Sequence, residues 1–258
     1  MRIFRVIVLL STVTAALLPG QNTPTAVTSP AGAGAVASTV PNLPPAPAPR
    51  LPDGKPDFSG IWFGGGPVGD LELGLAKGET IPMLPSAKKI MESRQSKDDP
   101  EANCLPTGIP RTAPYPWTFA TAPGRLYILF EGNIHSYRQI FMDGRAHPAD
   151  PNPTWYGHSV GHWEGDTLVV DTVGFNDRFW FDFRGHPHTE KLHTIERYTR
   201  KDFGTLVNEI TIDDPGAYSK PFKVTFNARL MPKGEIMEYI CQENNQDVSH
   251  IKGPAGTP

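Results

Sequence analysis

The sequence predicts an all-β fold: an antiparallel β-barrel or a strongly curved meander sheet, with one short helix and a long Pro-rich loop. Three observations carry this. Short runs rich in β-branched and aromatic residues recur at 126–130, 136–142, 159–163, 167–173, 192–199, 206–212, 222–230 and 236–241. Turn formers stand between them, namely Gly132-Asn133, Asp143-Gly144, Gly165-Asp166, Asp202-Phe203-Gly204 and Lys233-Gly234. Only residues 86–96 space their apolar side chains at helical intervals, through Ala87, Ile90 and Met91, with Ser86 as the expected cap.

Each element follows from local composition. Pro52-Asp53-Gly54 reads as a turn into a first strand at Ile61-Trp62, ended by Gly64, Gly65 and Gly66. Residues 98–123 are rich in proline and read as an ordered loop. About nine strands result, enough for a sheet to close on itself and remove its edges; a two-sheet sandwich is the alternative.

Upstream, Arg2 and Arg5 flank the start of an apolar run over residues 6–18. A bilayer span needs roughly 20 apolar residues, so this basic start and short run read as a secretory signal over 1–20. Ala35-Val36-Ala37 before Ser38 fits the small-residue rule but lies far from the apolar run, and a cut nearer Gly20 is the alternative. Residues 21–50 are Ala-, Pro- and Thr-rich and lack the apolar surface to offset chain entropy, so a disordered tether is expected. The barrel domain is then 51–245, with a flexible tail over 246–258. The expected location is exported, periplasmic or extracellular, with no stable membrane insertion after signal cleavage.

Two cysteines, Cys104 and Cys241, would meet an oxidising space. A long-range disulfide joining the Pro-rich loop to the last strand is one reading, and two separate buried thiols the other. Net charge is −3 and dispersed, which disfavours nucleic acid. No nucleophile elbow, phosphate loop or dinucleotide fingerprint occurs, which disfavours serine-hydrolase and nucleotide chemistry.

Polar chemistry concentrates in residues 157–200, which hold five of the eight histidines. His158 and His162 have even spacing and therefore share a strand face, flanked by glycines. Two neutral imidazoles in a cavity can serve as acid and base near neutral pH. Asp171 or Glu196 would orient one of them, and Arg138 or Arg197 would stabilise developing negative charge. One face of the strand from Leu192 carries Thr194, Glu196, Tyr198 and Arg200, so a partly polar barrel interior is expected. Trp155, Trp163, Trp180, Tyr198 and His193 are candidate ligand-binding walls. No cofactor is expected; His186, His188 and His193 are the weak candidates for a metal, against solvated loop histidines. Asp143-Gly144-Arg145-Ala146-His147-Pro148 forms a further polar cluster at a strand end, with a simple Asp–Arg-closed hairpin as its bland reading.

Asp57-Phe58-Ser59-Gly60-Ile61-Trp62, Asp143 to Pro148, Gly157 to Asp171, Glu196-Arg197-Tyr198 and Glu238 to Asn244 together resemble a family of secreted bacterial β-rich proteins, calycin- or lipocalin-like in general shape. The resemblance implies a bacterial, exported, single-domain protein. It implies no established reaction and no catalytic residue. The expected function is a small-molecule enzyme using histidine and carboxylate for elimination, isomerisation or hydrolysis in a barrel cavity, on a small organic or carbohydrate-like ligand. The alternatives are a non-catalytic ligand-binding barrel and an envelope structural or interaction protein. Oligomeric state is not legible.

Overall fold

A computed structural model describes residues 43–111, 115–132, 137–243, 245–246 and 248–256; the expected signal segment over 1–20 lies outside the described residues. Nine strands form one closed barrel: β1 Ile61–Gly64, β2 Trp117–Ala122, β3 Arg125–Phe130, β4 Tyr137–Phe141, β5 His158–Glu164, β6 Thr167–Val173, β7 His193–Arg200, β8 Thr205–Asp213 and β9 Phe222–Met231. Neighbours in sequence are neighbours in space, and β9 pairs with β1 to complete the ring. The one α-helix among the described residues, α1 Pro85–Ser93, starts with Pro85 in its first turn. Its N-cap is Leu84 rather than Ser86, because the fixed φ of proline suits that first position.

The strand count matches expectation, but its membership differs. Residues 236–240 form no strand and follow the turn that Gly234 closes by donating to Met231 O at 2.9 Å. In their place β2 emerges from the Pro-rich stretch, where Trp117, Phe119 and the β3 partners Ile128 and Phe130 are buried. Proline density masked a run whose alternation is clear once Trp117 and Phe119 are set inward.

The meander is also broken once. β4 and β5 run parallel and share only two residue pairs, Ile140↔Ser159 and Phe141↔Val160. Parallel strands cannot be joined by a tight turn, so Asp143-Gly144 opens a crossover over residues 142–157 instead of a hairpin. The crossover is anchored where Thr154 N donates to Gly174 O and Asn176 N to Thr154 O, at 3.0 and 2.8 Å.

Alternation decides which residues enter the barrel. Trp62, Trp117, Phe119, Ile128, Tyr198, Leu206 and Ile210 all point inward and are buried. Phe119 of β2 meets Tyr198 of β7 across the lumen at 5.6 Å between ring centroids, and Trp117 lies 5.2 Å from Phe119. These rings fill the interior like a core, at about 25 cal/mol for each Å² of apolar surface removed from water. Polar groups enter with them. Arg138 of β4 reaches across to Glu196 of β7, Nη1 to Oε2 at 2.6 Å, and each side chain is only 2 % exposed.

Both flanking segments are held. Leu43 packs against the core, Phe203 N donates to Ala46 O at 2.8 Å, and Arg50 forks onto Asp166 at 2.6 and 2.9 Å. Residues 43–50 therefore form a strap along the barrel, whereas the sequence suggested disorder up to 50. Near the other terminus Ser96 N donates to Gly253 O and Ala255 N to Arg94 O, each at 3.0 Å. Cys104 and Cys241 are bridged, tying the Pro-rich loop to the segment after β9 rather than to a strand. No helix among the described residues is long and apolar enough to cross a membrane.

Candidate active site at the seam between β4 and β5

The site begins with a parity. On β5, Ser159 and Gly161 point into the barrel, and His158, Val160 and His162 point outward. Gly161 is required there: a Cβ would sit 2.6 Å from Met142 Sδ and 2.8 Å from Ile140 Cγ2, where β4 crosses it. The two histidines do share a face, but it is the outer wall, so they do not line an internal hollow. Inside the barrel, rings from β2 and β7 meet instead.

His158 and His162 then part company. The His162 side chain is 59 % exposed, and its Nε2 pairs with Glu164 at 3.1 Å. That contact belongs to a surface network in which Arg197 also holds Glu164 at 2.7 Å. Neither His162 nor Arg197 reaches the other candidates, so the expected His158–His162 pair is not formed and Arg197 is occupied elsewhere.

His158 instead meets His147, carried over by the crossover. Their Nδ1 atoms are 2.8 Å apart, and His147 Nε2 lies 3.0 Å from Asp171 Oδ1. The same carboxylate oxygen receives His193 Nε2 at 2.8 Å. Asp171 is on β6 opposite Val160 and beside Ile195 of β7, so three strand faces and the crossover converge. A carboxylate only accepts, which makes both Nε2 atoms donors. With Nε2 as its donor, His147 can accept at Nδ1 from His158 Nδ1–H. His158 Nε2 becomes the remaining lone pair of the chain.

That imidazole lines a pocket of about 520 Å³. The pocket exists because β4 and β5 share so short a register: beside Tyr137, Arg138 and Gln139 the sheet is open, and the crossover residues Pro148, Pro151, Asn152, Trp155 and Tyr156 form the facing wall. Phe141 stacks on His158 at 5.0 Å and carries the Arg145 guanidinium 3.9 Å from its centroid. Arg145 is itself held by Asp143, 2.6 Å from Nη2 to Oδ2. Partial burial, then the neighbouring His147 and Arg145, push the His158 pKa below the usual histidine value, so the ring is neutral at pH 7.

The remaining candidates separate by location. Trp155 is in the pocket wall. Trp163 packs on Phe58 at 5.3 Å with Lys55 Nζ 5.6 Å from its ring, and Trp180 lies under Arg94. Tyr198 is inside the barrel, its hydroxyl donating to Glu196 Oε1 at 2.7 Å. Arg138 also donates from Nε to Ser159 Oγ at 3.1 Å and from Nη2 to Thr172 Oγ1 at 2.7 Å. Arg138 and Glu196 thus form a buried ion pair inside the barrel, and Glu196 meets Tyr198 and Arg138 rather than a histidine. His193, a metal candidate, is bound to Asp171. His186 donates its Nδ1–H to Asp182 at 2.6 Å, and His188 is buried between Phe179 and Phe181, so neither is a solvated loop histidine. Asp70, Asp182 and His186 form a cluster of metal-ligand type. Its oxygens are already met by Arg184, the backbone N–H groups of Leu71, Glu72 and His186, and His186 Nδ1. His147 was the residue missed; its signal was the Asp-Gly-Arg-Ala-His-Pro cluster at a strand end.

Fold and site together define a nine-stranded closed barrel with a filled lumen and a histidine–carboxylate chain on its outer wall. No protein family, curated protein or solved structure matches the chain significantly.

Proposed function

We propose that the protein is an exported enzyme that moves protons on a small molecule bound in the seam between β4 and β5. His158 Nε2 is the general base facing the pocket. His147 relays charge from His158 Nδ1 to Asp171, and His193 holds the same carboxylate from the far side. A proton taken at Nε2 makes His158 an imidazolium, whose Nδ1–H can pass along the existing hydrogen bond to His147. The protonated ring then serves as general acid in the second half of an elimination, isomerisation or hydrolysis.

The observation that carries this reading is the 2.8 Å contact between the two Nδ1 atoms at the mouth of a 520 Å³ pocket. Export is supported by the disulfide, which is stable in oxidising compartments. It also accords with the resemblance to secreted bacterial β-rich proteins. A carrier of lipocalin type, with its ligand inside the barrel, fits less well because rings from β2 and β7 touch across the lumen.

The test is turnover in D₂O of a panel of carbonyl compounds, esters and glycosides, read by mass spectrometry and proton NMR. Wild-type protein converts or deuterates at least one member, and His158→Gln and His147→Asn lose that activity while still binding the compound. Binding with no turnover by any form would make this a ligand-binding protein. Equal turnover by wild type and His158→Gln would reject His158 as base.

A further inference from the structure

Resting on the seam as the functional site, we infer that its ligand is an uncharged, planar ring compound, not an ion or a sugar. The charge inventory comes first. Among the described residues lining the pocket the only formal charge is Arg138, and that guanidinium pairs with Glu196, Ser159 and Thr172 inside the barrel. No aspartate, glutamate or lysine is among those described lining residues. An ion entering such a crevice gives up hydration and finds no uncommitted opposite charge, since Arg145 over Phe141 is already paired with Asp143. His158 does not supply one, because its burial and the adjacent Arg145 favour the neutral ring.

Shape and surface give the second half. Tyr137, Phe141, Trp155 and Tyr156 supply flat faces and edges along the seam. Tyr156 is fixed by stacking on Phe130 at 6.1 Å, and Phe141 by its stack with His158. Such rigid aromatic walls favour offset or edge contact with another ring. The polar lining is neutral: the amides of Gln139 and Asn152, the hydroxyls of Tyr137 and Thr154, and the His158 imidazole. This suits an uncharged ligand with a few hydrogen-bonding groups, and the four rings favour one with a flat face over a sugar. A pocket of about 520 Å³ admits one or two fused rings.

The probes are 2-naphthol, 2-naphthalenesulfonate and methyl β-glucoside, titrated into the full chain at pH 7 by fluorescence and calorimetry. The expected result is saturable binding of 2-naphthol, with the sulfonate weaker by at least about tenfold and the glucoside weaker still. Tyr137→Ala, at an exposed position, and Trp155→Leu each weaken naphthol by roughly fivefold or more in protein whose folded state is checked by circular dichroism; Trp163→Phe, outside the pocket lining, changes nothing. Equal or tighter binding of the sulfonate or the glucoside overturns the inference, as does naphthol binding indifferent to Tyr137 and Trp155. Its failure is separable from failure of the catalytic reading. Turnover of a charged or sugar substrate that His158→Gln abolishes would retain the site and reject the ligand class. Selective naphthol binding with no His158-dependent turnover would do the reverse.

Discussion

His147 and His158 meet Nδ1 to Nδ1 at 2.8 Å although one sits in the crossover and the other begins β5. Each ring is fixed from its far side, His147 by Asp171 and His158 by the face of Phe141. Gly157 lets the chain enter β5 at this point: its φ is +64°, and a Cβ would lie 2.7 Å from Thr172 Cγ2 and Val173 O. The arrangement therefore depends on the parallel pairing of β4 and β5, which forces the crossover over the outer wall.

Arg145 contributes, after burial and His147, to the lowered pKa of His158. Its charge beside Phe141 and His158 adds to partial burial in keeping His158 neutral. Arg145→Gln should raise the His158 pKa toward the ordinary 6.5. The acid limb of any activity that uses His158 as base should shift to higher pH, because the base is lost as pH falls through its pKa. Titration of the His158 Cε1–H resonance in both proteins checks this, and an unmoved midpoint would remove Arg145 from the account.

A second histidine governs acid stability. His188 is buried against Phe179 at 3.8 Å between centroids, and burial pushes its pKa down to about 4. Between pH 6.5 and about 4 the unfolded chain binds this proton and the folded one does not. Stability should therefore fall as pH drops through that window, by on the order of 3 kcal/mol in total. His188→Asn, which retains a donor for Thr189 O, should start less stable but show a flatter profile of Tm against pH over the same window. A parallel profile would exclude His188 as the acid-sensitive group.

Much of this fold was legible because side-chain alternation is a strict consequence of strand geometry. Alternation puts Thr194, Glu196, Tyr198 and Arg200 on one face, that face is buried, and burial demands a partner for Glu196, which is Arg138. For β5, alternation placed His158 and His162 on one face without saying which side of the wall that face was. The small inward residues Ser159 and Gly161 settle the matter only when β4 is known to cross them. Residues 236–241 have strand composition but no neighbour with a free edge, since β9 already pairs with β1. The site itself was half legible: His158, Asp171 and His193 converge, but His147 arrives through a parallel crossover that local turn chemistry could not forecast.

The Arg138–Glu196 pair is predicted to be costly to halve. Glu196 Oε2 lies close to Nη1 but off the line of a hydrogen bond, so charge attraction more than alignment holds it. Glu196→Gln should destabilise by about 3–5 kcal/mol in urea titrations, because it leaves a buried guanidinium uncompensated. Arg138→Met with Glu196→Met should recover a large part of that loss. A double variant worse than the single one would show that the pair does more than balance its own desolvation.

The disulfide closes a loop of 137 residues. Cys104→Ser with Cys241→Ser should cost up to about 5 kcal/mol by chain entropy, read as a lower denaturation midpoint. Neither cysteine lines the seam, so ligand binding there should persist below the new midpoint. Loss of binding in a folded double variant would place the Cys104–Cys241 region in the site.

The most direct measurement is the tautomeric state of the two seam imidazoles, read from long-range ¹⁵N–¹H correlations of ¹⁵N-histidine protein at pH 7.5. The expected result is a proton on Nε2 of His147 and on Nδ1 of His158, leaving His158 Nε2 bare toward the pocket, with Asp171→Asn disturbing both patterns. Finding His158 protonated on Nε2, or both rings unaffected by Asp171→Asn, would contradict a proton path running from the pocket through His147 to the carboxylate.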